Sequence, residues 1–178
     1  MALFSEPLNM ANSNVCIGLI DPKSPSNVGA VMRAAGCYQA NAVRYTGNRY
    51  TQAAPFHTDT KSASLSIPLT HVDNILDRLD DQAHIVCIEL VEGAVALPAF
   101  QHPANAFYIF GPEDGSLCQE LIDQADAVVY VPTRGCMNLA ATVNVVLYDR
   151  MAKSDQAGGS DELIRQSRDT NNRVKVSA

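Results

Sequence analysis

Three short segments concentrate the residues able to bind or react. The first is 21–33 (DPKSPSNVGAVMR). Its two prolines hold a loop extended, and Ser26 or Asn27 can cap a helix that follows. Gly29 permits close approach of a ligand or another backbone. Arg33, a permanent cation, suits phosphate binding, although a lone arginine on a helix also serves as a surface or salt-bridging residue. The second is 110–117 (FGPEDGSL), where two glycines around Glu113 can form a backbone cradle for a small molecule, or a tight turn capped by Asp114 or Ser116. The third is 131–140 (VPTRGCMNLA), in which Asn138 can cap a helix or hold a ligand, with Gly135 and Cys136 keeping the approach uncrowded. Cys136 has no evident histidine partner, which argues against a nucleophilic role.

Each segment follows an apolar run of strand length. The run 15–20 (VCIGLI) stops at Asp21-Pro22, and 106–110 is cut off by Gly111-Pro112; 127–131 leads into the third segment. Further strands are expected at 42–46 and 84–91, and helices at 27–38, 72–79, 116–124 and 139–153. The stretch 49–69 is polar and poorly periodic and reads as a long functional loop. Strands alternating with helices, each strand apolar on both faces, predict an α/β fold with a mostly parallel sheet flanked by helices. Ligands bind such sheets beyond the carboxyl ends of the strands, where all three segments fall. One domain is expected over 1–153. The remainder, 154–178, reads as a flexible polar tail with room for a short helix at 161–168.

Composition narrows the classes. An apolar fraction of 47% and a charged fraction of 18% are ordinary for a globular protein. No apolar run approaches the roughly 20 residues of a membrane span, and the first residues lack the pattern of a signal peptide, so a cytoplasmic location is expected. The five cysteines (16, 37, 87, 118, 136) show no C-x-x-C pair and the four histidines no metal-type spacing, so neither disulfides nor a metal is expected. The net charge of −6 hides an asymmetry. Lys23, Arg33, Arg44, Arg49 and Lys61 face a single acid between positions 22 and 72, whereas eleven acids accompany only Arg78 between 73 and 126. The first stretch can present a positive face to phosphates. Lys23, Arg33, Arg44, Arg49, His57 and Lys61, beside Tyr45, Tyr50 and Phe56, are the candidate contacts for those phosphates; the pattern permits an RNA partner, whose single-stranded loops are held by phosphate contacts and aromatic stacking, without proving one.

In order and spacing, SPSNVGAVMRAAG, FGPEDGSL and VPTRGCMNLAATVNVVLYD resemble the three motifs of the SpoU (TrmH-like) branch of the SPOUT RNA methyltransferases, over roughly 15–151. The resemblance implies a C-terminal deep trefoil knot, a homodimer with each active site completed across the interface, and S-adenosylmethionine as cofactor. It implies that backbone groups near Leu90, Gly111, Val131, Cys136 and Met137, with Asn138, hold that cofactor. Arg33 would be the catalytic residue, with Asn27, Glu113 and Asn138 organising the site, and Glu113 orienting Asn27 or the arginine rather than acting as a base. The expected reaction is methylation of a ribose 2′-hydroxyl, with tRNA favoured over ribosomal RNA by size. Two departures stand out: Cys136 replaces the usual serine, and the third loop is short. The rivals are methylation of a base, as in other SPOUT branches, and a non-catalytic RNA-binding protein retaining the knot. A Rossmann dinucleotide enzyme is disfavoured because no G-x-G-x-x-G follows the first strand.

Overall fold

A computed structural model describes residues 8–9, 13–53, 67–168 and 174–176. Seven strands form one sheet: β1 (Asn14–Leu19), β2 (Ala42–Tyr45), β3 (Leu69–His71), β4 (His84–Ile88), β5 (Val95–Ala96), β6 (Asn105–Phe110) and β7 (Ala127–Tyr130). Their order is β3-β2-β1-β6-β4-β7-β5, and every pairing is parallel. The helices are α1 (Pro25–Cys37), α2 (Arg49–Ala53), α3 (Gln119–Asp123), α4 (Leu139–Ala152) and α5 (Asp161–Ser167). None of the described helices is long and apolar enough to cross a membrane.

Side-chain alternation along the central strands feeds two cores. Val15, Ile17 and Leu19 of β1 and Ala106, Tyr108 and Phe110 of β6 join Val28, Val31, Val143 and Val146, so α1 and α4 cover one face together. Phe107, Ile109 and Cys87 point the other way, onto Ile75, Leu117 and Leu121. Gly18 lets β1 take part in both, because a Cβ there would stand 2.8 Å from the Phe107 ring.

The second face is where expectation and structure part. Residues 72–79 form turns, not a helix. Ile75 is buried and Val72, Leu76 and Leu79 pack around it, so the apolar spacing is real. Local polar groups win the backbone: the Asn74 side chain accepts from the Leu76 amide at 3.0 Å, and the Arg44 guanidinium takes the Asp77 carbonyl at 2.6 Å and that of Arg78 at 3.3 Å. Arg78 itself sits at φ 51°. The stretch 49–69 contributes α2 and edge strand β3 to regular structure, and β5 is a two-residue strand that the sequence did not announce. Helix α3 is shorter than 116–124 because Asp114 and the Leu117 amide are engaged elsewhere. Ser24, not Ser26 or Asn27, caps α1, since Pro25 needs no amide partner at the first helical position.

At the amino-terminal end of β6 a buried polar network fastens α4. Arg150, 1% exposed, donates to the Pro103 carbonyl at 2.6 Å, the Ala104 carbonyl at 2.8 Å and the Tyr108 hydroxyl at 3.1 Å. His102 lies 2.6 Å from that hydroxyl and 2.9 Å from Asp149, which also pairs with Lys153. Burial drives the His102 pKa from 6.5 to about 4, against the opposing pull of Asp149. The folded state therefore resists protonation. The stabilising contribution is complete above pH 6.5 and is lost as pH falls toward about 4, on the order of 3 kcal/mol in all. Urea midpoints measured across that window should fall for the wild type and change far less for His102→Gln.

Candidate active site

The order β1-β6-β4-β7 brings the carboxyl ends of four strands side by side, and the loops leaving them meet. Glu113, in the loop after β6, is the meeting point. One carboxylate oxygen accepts the Lys23 amide at 2.8 Å. The other accepts the Ser24 amide at 3.0 Å and the Asn27 side-chain amide at 3.1 Å. Burial by itself would raise this carboxyl's pKa, but the Lys23 amide, the Asn27 side chain and the Ser24 amide together hold it below its ordinary range.

Asn27 passes the connection on. Its side-chain oxygen accepts from the Asn138 side-chain amide at 3.0 Å. Asn138 in turn caps α4, its oxygen accepting the amides of Ala140 at 2.9 Å and Ala141 at 3.3 Å. The three segments singled out in the sequence are thus joined by one chain of side chains, Glu113–Asn27–Asn138. Arg33 stands one and a half turns beyond Asn27 on α1. It is exposed, and among the described residues it has no hydrogen-bond or ion-pair partner.

A cleft opens beside this chain. Its lining takes in Ile88, Glu89 and Leu90 after β4, the 110–115 loop including Gly111 and Glu113, and Val131, Thr133, Cys136, Met137, Leu139 and Thr142 around the start of α4. Leu90, Gly111, Val131, Cys136 and Met137 therefore lie around a single cavity, with Asn138 next in sequence to its wall. A Cβ at Gly111 would stand 3.3 Å from a Glu89 oxygen and 3.5 Å from the Leu117 amide, so a bare backbone is what keeps that wall thin. The apolar side chains of Ile88, Leu90, Val131, Met137 and Leu139 on its walls suit a planar ring.

The basic residues are divided. Arg44 is committed to the carbonyls of Asp77 and Arg78. Arg49 donates twice through Nη1 to Asp114, at 2.8 and 2.9 Å, and through Nε and Nη2 to the Asp21 carbonyl, at 3.1 and 2.5 Å, with the Asp21 carboxylate 2.9 Å from Nε as an ion pair, while Lys23 adds a contact to Asp114 at 3.5 Å. The Arg49 hydrogen bond holds the Asp114 pKa down. Tyr45 is buried, edge-on to Tyr50 and His71, with its hydroxyl 3.2 Å from Thr51. His57, Lys61 and Phe56 lie outside the described residues. No group of three or more His, Cys, Asp or Glu among the described residues is arranged to hold a metal.

Sequence reading missed Glu89 and the Arg49 clamp. Glu89 accepts the Leu90 amide through one oxygen and the Leu117 amide through the other, both at 2.9 Å, so it stitches the β4 end to the loop after β6. Its signal was present: one acid at the carboxyl end of the apolar strand HIVCI. Severing the side-chain connection should loosen the site without unfolding the protein. A double-mutant cycle of Asn27→Ala and Asn138→Ala, read by urea unfolding, should give a coupling of about 0.5–1.5 kcal/mol. Asn138→Ala alone should cost about 1 kcal/mol more than that coupling, through the lost cap.

The model of the SpoU rRNA Methylase family matches residues 14–148. No curated protein matches the sequence significantly. Among solved structures, the chain resembles the SpoU methyltransferase AviRb from Streptomyces viridochromogenes in complex with AdoMet, with a TM-score of 0.66 and 18% identity over 78% of this chain and 57% of that one. It resembles the A. aeolicus TrmH/SpoU tRNA modifying enzyme with a TM-score of 0.66 and 16% identity, over 90% and 87% of the two chains. A structure concerned with 2-OH methylation on tRNA gives a TM-score of 0.63 and 20% identity over 80% and 97%. The chain thus spans 57% of the length of AviRb, and at these identities the likeness to solved structures is one of fold. The family match itself runs through all three segments and the strands that carry them: the chain belongs to the SpoU rRNA Methylase family.

Proposed function

We propose that this chain transfers the methyl group of S-adenosylmethionine to a ribose 2′-hydroxyl in RNA, with tRNA as substrate and a homodimer as the working unit. The observation that carries the reading is the chain Glu113–Asn27–Asn138 beside the cleft, with Arg33 exposed and unpaired among the described residues on the helix that bears Asn27. Two kinds of relative support tRNA. The tRNA modifying enzyme of A. aeolicus and the structure concerned with tRNA 2-OH methylation match this chain over most of their own lengths, whereas AviRb is much longer.

The cofactor supplies an electrophilic methyl on a sulfonium. Leu90, Gly111, Val131, Cys136 and Met137, which border the cleft, and Asn138 next to them would hold it, mainly through backbone groups. Cys136 in place of a serine weakens a side-chain hydrogen bond but leaves a backbone contact available. The 2′-hydroxyl is a poor nucleophile and must shed its proton, which passes to solvent water, as it attacks. A guanidinium stays protonated, so Arg33 acts electrostatically: it anchors the phosphate beside the target ribose and stabilises the developing oxyanion. Glu113 keeps Asn27 in place and Asn27 keeps Asn138 in place, which fixes the two sides of the cleft for in-line attack. The family's trefoil knot belongs to the same reading, with the 131–138 loop and α4 as the threaded part. Exposed Tyr148 on α4 supports an interface with a second copy, and the 154–178 tail, with Arg165 and Arg168, assists RNA binding.

The test is transfer of labelled methyl from S-adenosylmethionine to RNA from cells lacking this protein, followed by digestion to nucleosides. A labelled 2′-O-methylnucleoside in the tRNA fraction is expected. Label on a base overturns the ribose mechanism, and cofactor binding without any transfer favours a non-catalytic RNA-binding role. Arg33→Ala should reduce transfer on the order of a hundredfold or more. Its affinity for the cofactor, measured by calorimetry, should stay within about twofold; a larger loss would show that Arg33 serves the cofactor and not the RNA.

A further inference from the structure

Among the described residues, the cleft walls carry two carboxylates, Glu89 and Glu113, and no lysine, arginine or histidine. The two acids differ in what neutralises them. Glu113 accepts three donors from the 23–27 region, two on one oxygen and one on the other. Glu89 accepts only two backbone amides, one per oxygen, which leaves each oxygen a free lone pair, and among the described residues no cation pairs with it. One of its oxygens also lies against Gly111, 3.3 Å from where a Cβ there would stand. A carboxylate held in place at the end of a strand, unpaired and facing a partly apolar cavity, imposes a negative potential there at a higher cost to anions and a greater gain to cations than in open water.

We infer that Glu89 makes the cleft charge-selective, favouring the cationic sulfonium form of the cofactor over the neutral thioether left after methyl transfer. The inference rests on the cofactor reading given above and assigns a specificity-determining residue within it. Substrate and product share the adenosine and amino-acid parts, so every contact to those parts holds both equally. The formal difference between them is one methyl and one positive charge, and an uncompensated carboxylate senses that charge. Release of product is thereby eased without any movement of the walls, because the attraction disappears with the methyl.

Binding to the full-length protein by calorimetry tests this with S-adenosylmethionine and S-adenosylhomocysteine as the two probes. Glu89→Gln keeps the side chain's shape and one amide-accepting oxygen. It should weaken S-adenosylmethionine binding by roughly fivefold to tenfold and leave S-adenosylhomocysteine within about twofold. Equal losses for both ligands would mean that Glu89 only supports the loop, and no loss for either would remove it from recognition; both results overturn the assignment while leaving the cofactor reading intact. A wild-type protein that binds neither probe overturns the cofactor reading, and the assignment falls with it. Should Glu89→Gln fail to fold by circular dichroism, the wild type decides: raising ionic strength from about 0.05 to about 0.5 M should weaken S-adenosylmethionine binding more than S-adenosylhomocysteine binding, and parallel changes overturn the inference.

Discussion

The hydrogen-bonded chain from Asn138 through Asn27 to Glu113 turns three separate strand ends into one site. A parallel sheet delivers its loops to the same edge but does not fix them against each other, because each loop leaves its strand with unsatisfied amides and the freedom to move. Here one carboxylate collects two backbone amides from the loop after β1 and a side-chain amide from α1. A second side chain carries the link to the first turn of α4. The charge-assisted bonds to Glu113 are stronger than neutral ones, and the chain engages both helix starts: Glu113 accepts the amide of the α1 cap, Ser24, and Asn138 is itself the cap of α4. Position at the site and integrity of the helix ends are therefore the same constraint. Asn138 cannot leave the chain without uncapping α4.

That double duty explains what could and could not be seen in the sequence. The strands were legible because VCIGLI, HIVCI and AFYIF are apolar on both faces, as a sheet covered on both sides requires. Asn138 was legible as a cap because an amide before an apolar helical run has few other uses. The partner of each polar residue was not legible, since Asn27 and Glu113 are 86 positions apart and Asn27 and Asn138 are 111 apart, and nothing local encodes the pairing. The turns at 72–79 misled for the opposite reason. Ile75 and its neighbours have helical spacing and do pack into the core, but the deciding interactions were the Asn74 side chain and the distant Arg44 guanidinium. Hydrophobic periodicity reports which residues are buried; it reports backbone shape only when nothing polar competes.

The charge asymmetry needs the same correction. Counted along the sequence, Arg44 and Arg49 belong to a basic stretch that could meet phosphates. In three dimensions Arg44 closes a turn through two carbonyls, and Arg49 holds Asp21 and Asp114 at once, tying the loops after β1 and β6 together. Their donors are committed inside the molecule. Arg33 differs not in chemistry but in having no such employment among the described residues. An arginine left exposed while Asp21, Glu113 and Asp114 are engaged by other donors is free to meet an incoming anion, and binding that anion breaks no existing pair.

Helix α4 links this site to the far end of the sheet. Its carboxyl-terminal half is fixed by buried Arg150, whose guanidinium serves two carbonyls and the Tyr108 hydroxyl, and by Asp149 and Lys153 around His102. Its amino-terminal half ends on Asn138 at the cleft. A buried arginine is costly to desolvate, and replacing such a network with apolar residues often stabilises a protein, so stability alone does not account for it. What a network of directional bonds adds is register. Apolar packing against α1 and the sheet would tolerate sliding or rotation of α4 by fractions of a turn. The carbonyls of Pro103 and Ala104 do not, because they fix the guanidinium's fork in both position and angle. With the distal end locked in register, the cap at the proximal end falls where Asn27 can reach it. The geometry of the cleft thus depends on a polar cluster that touches none of it.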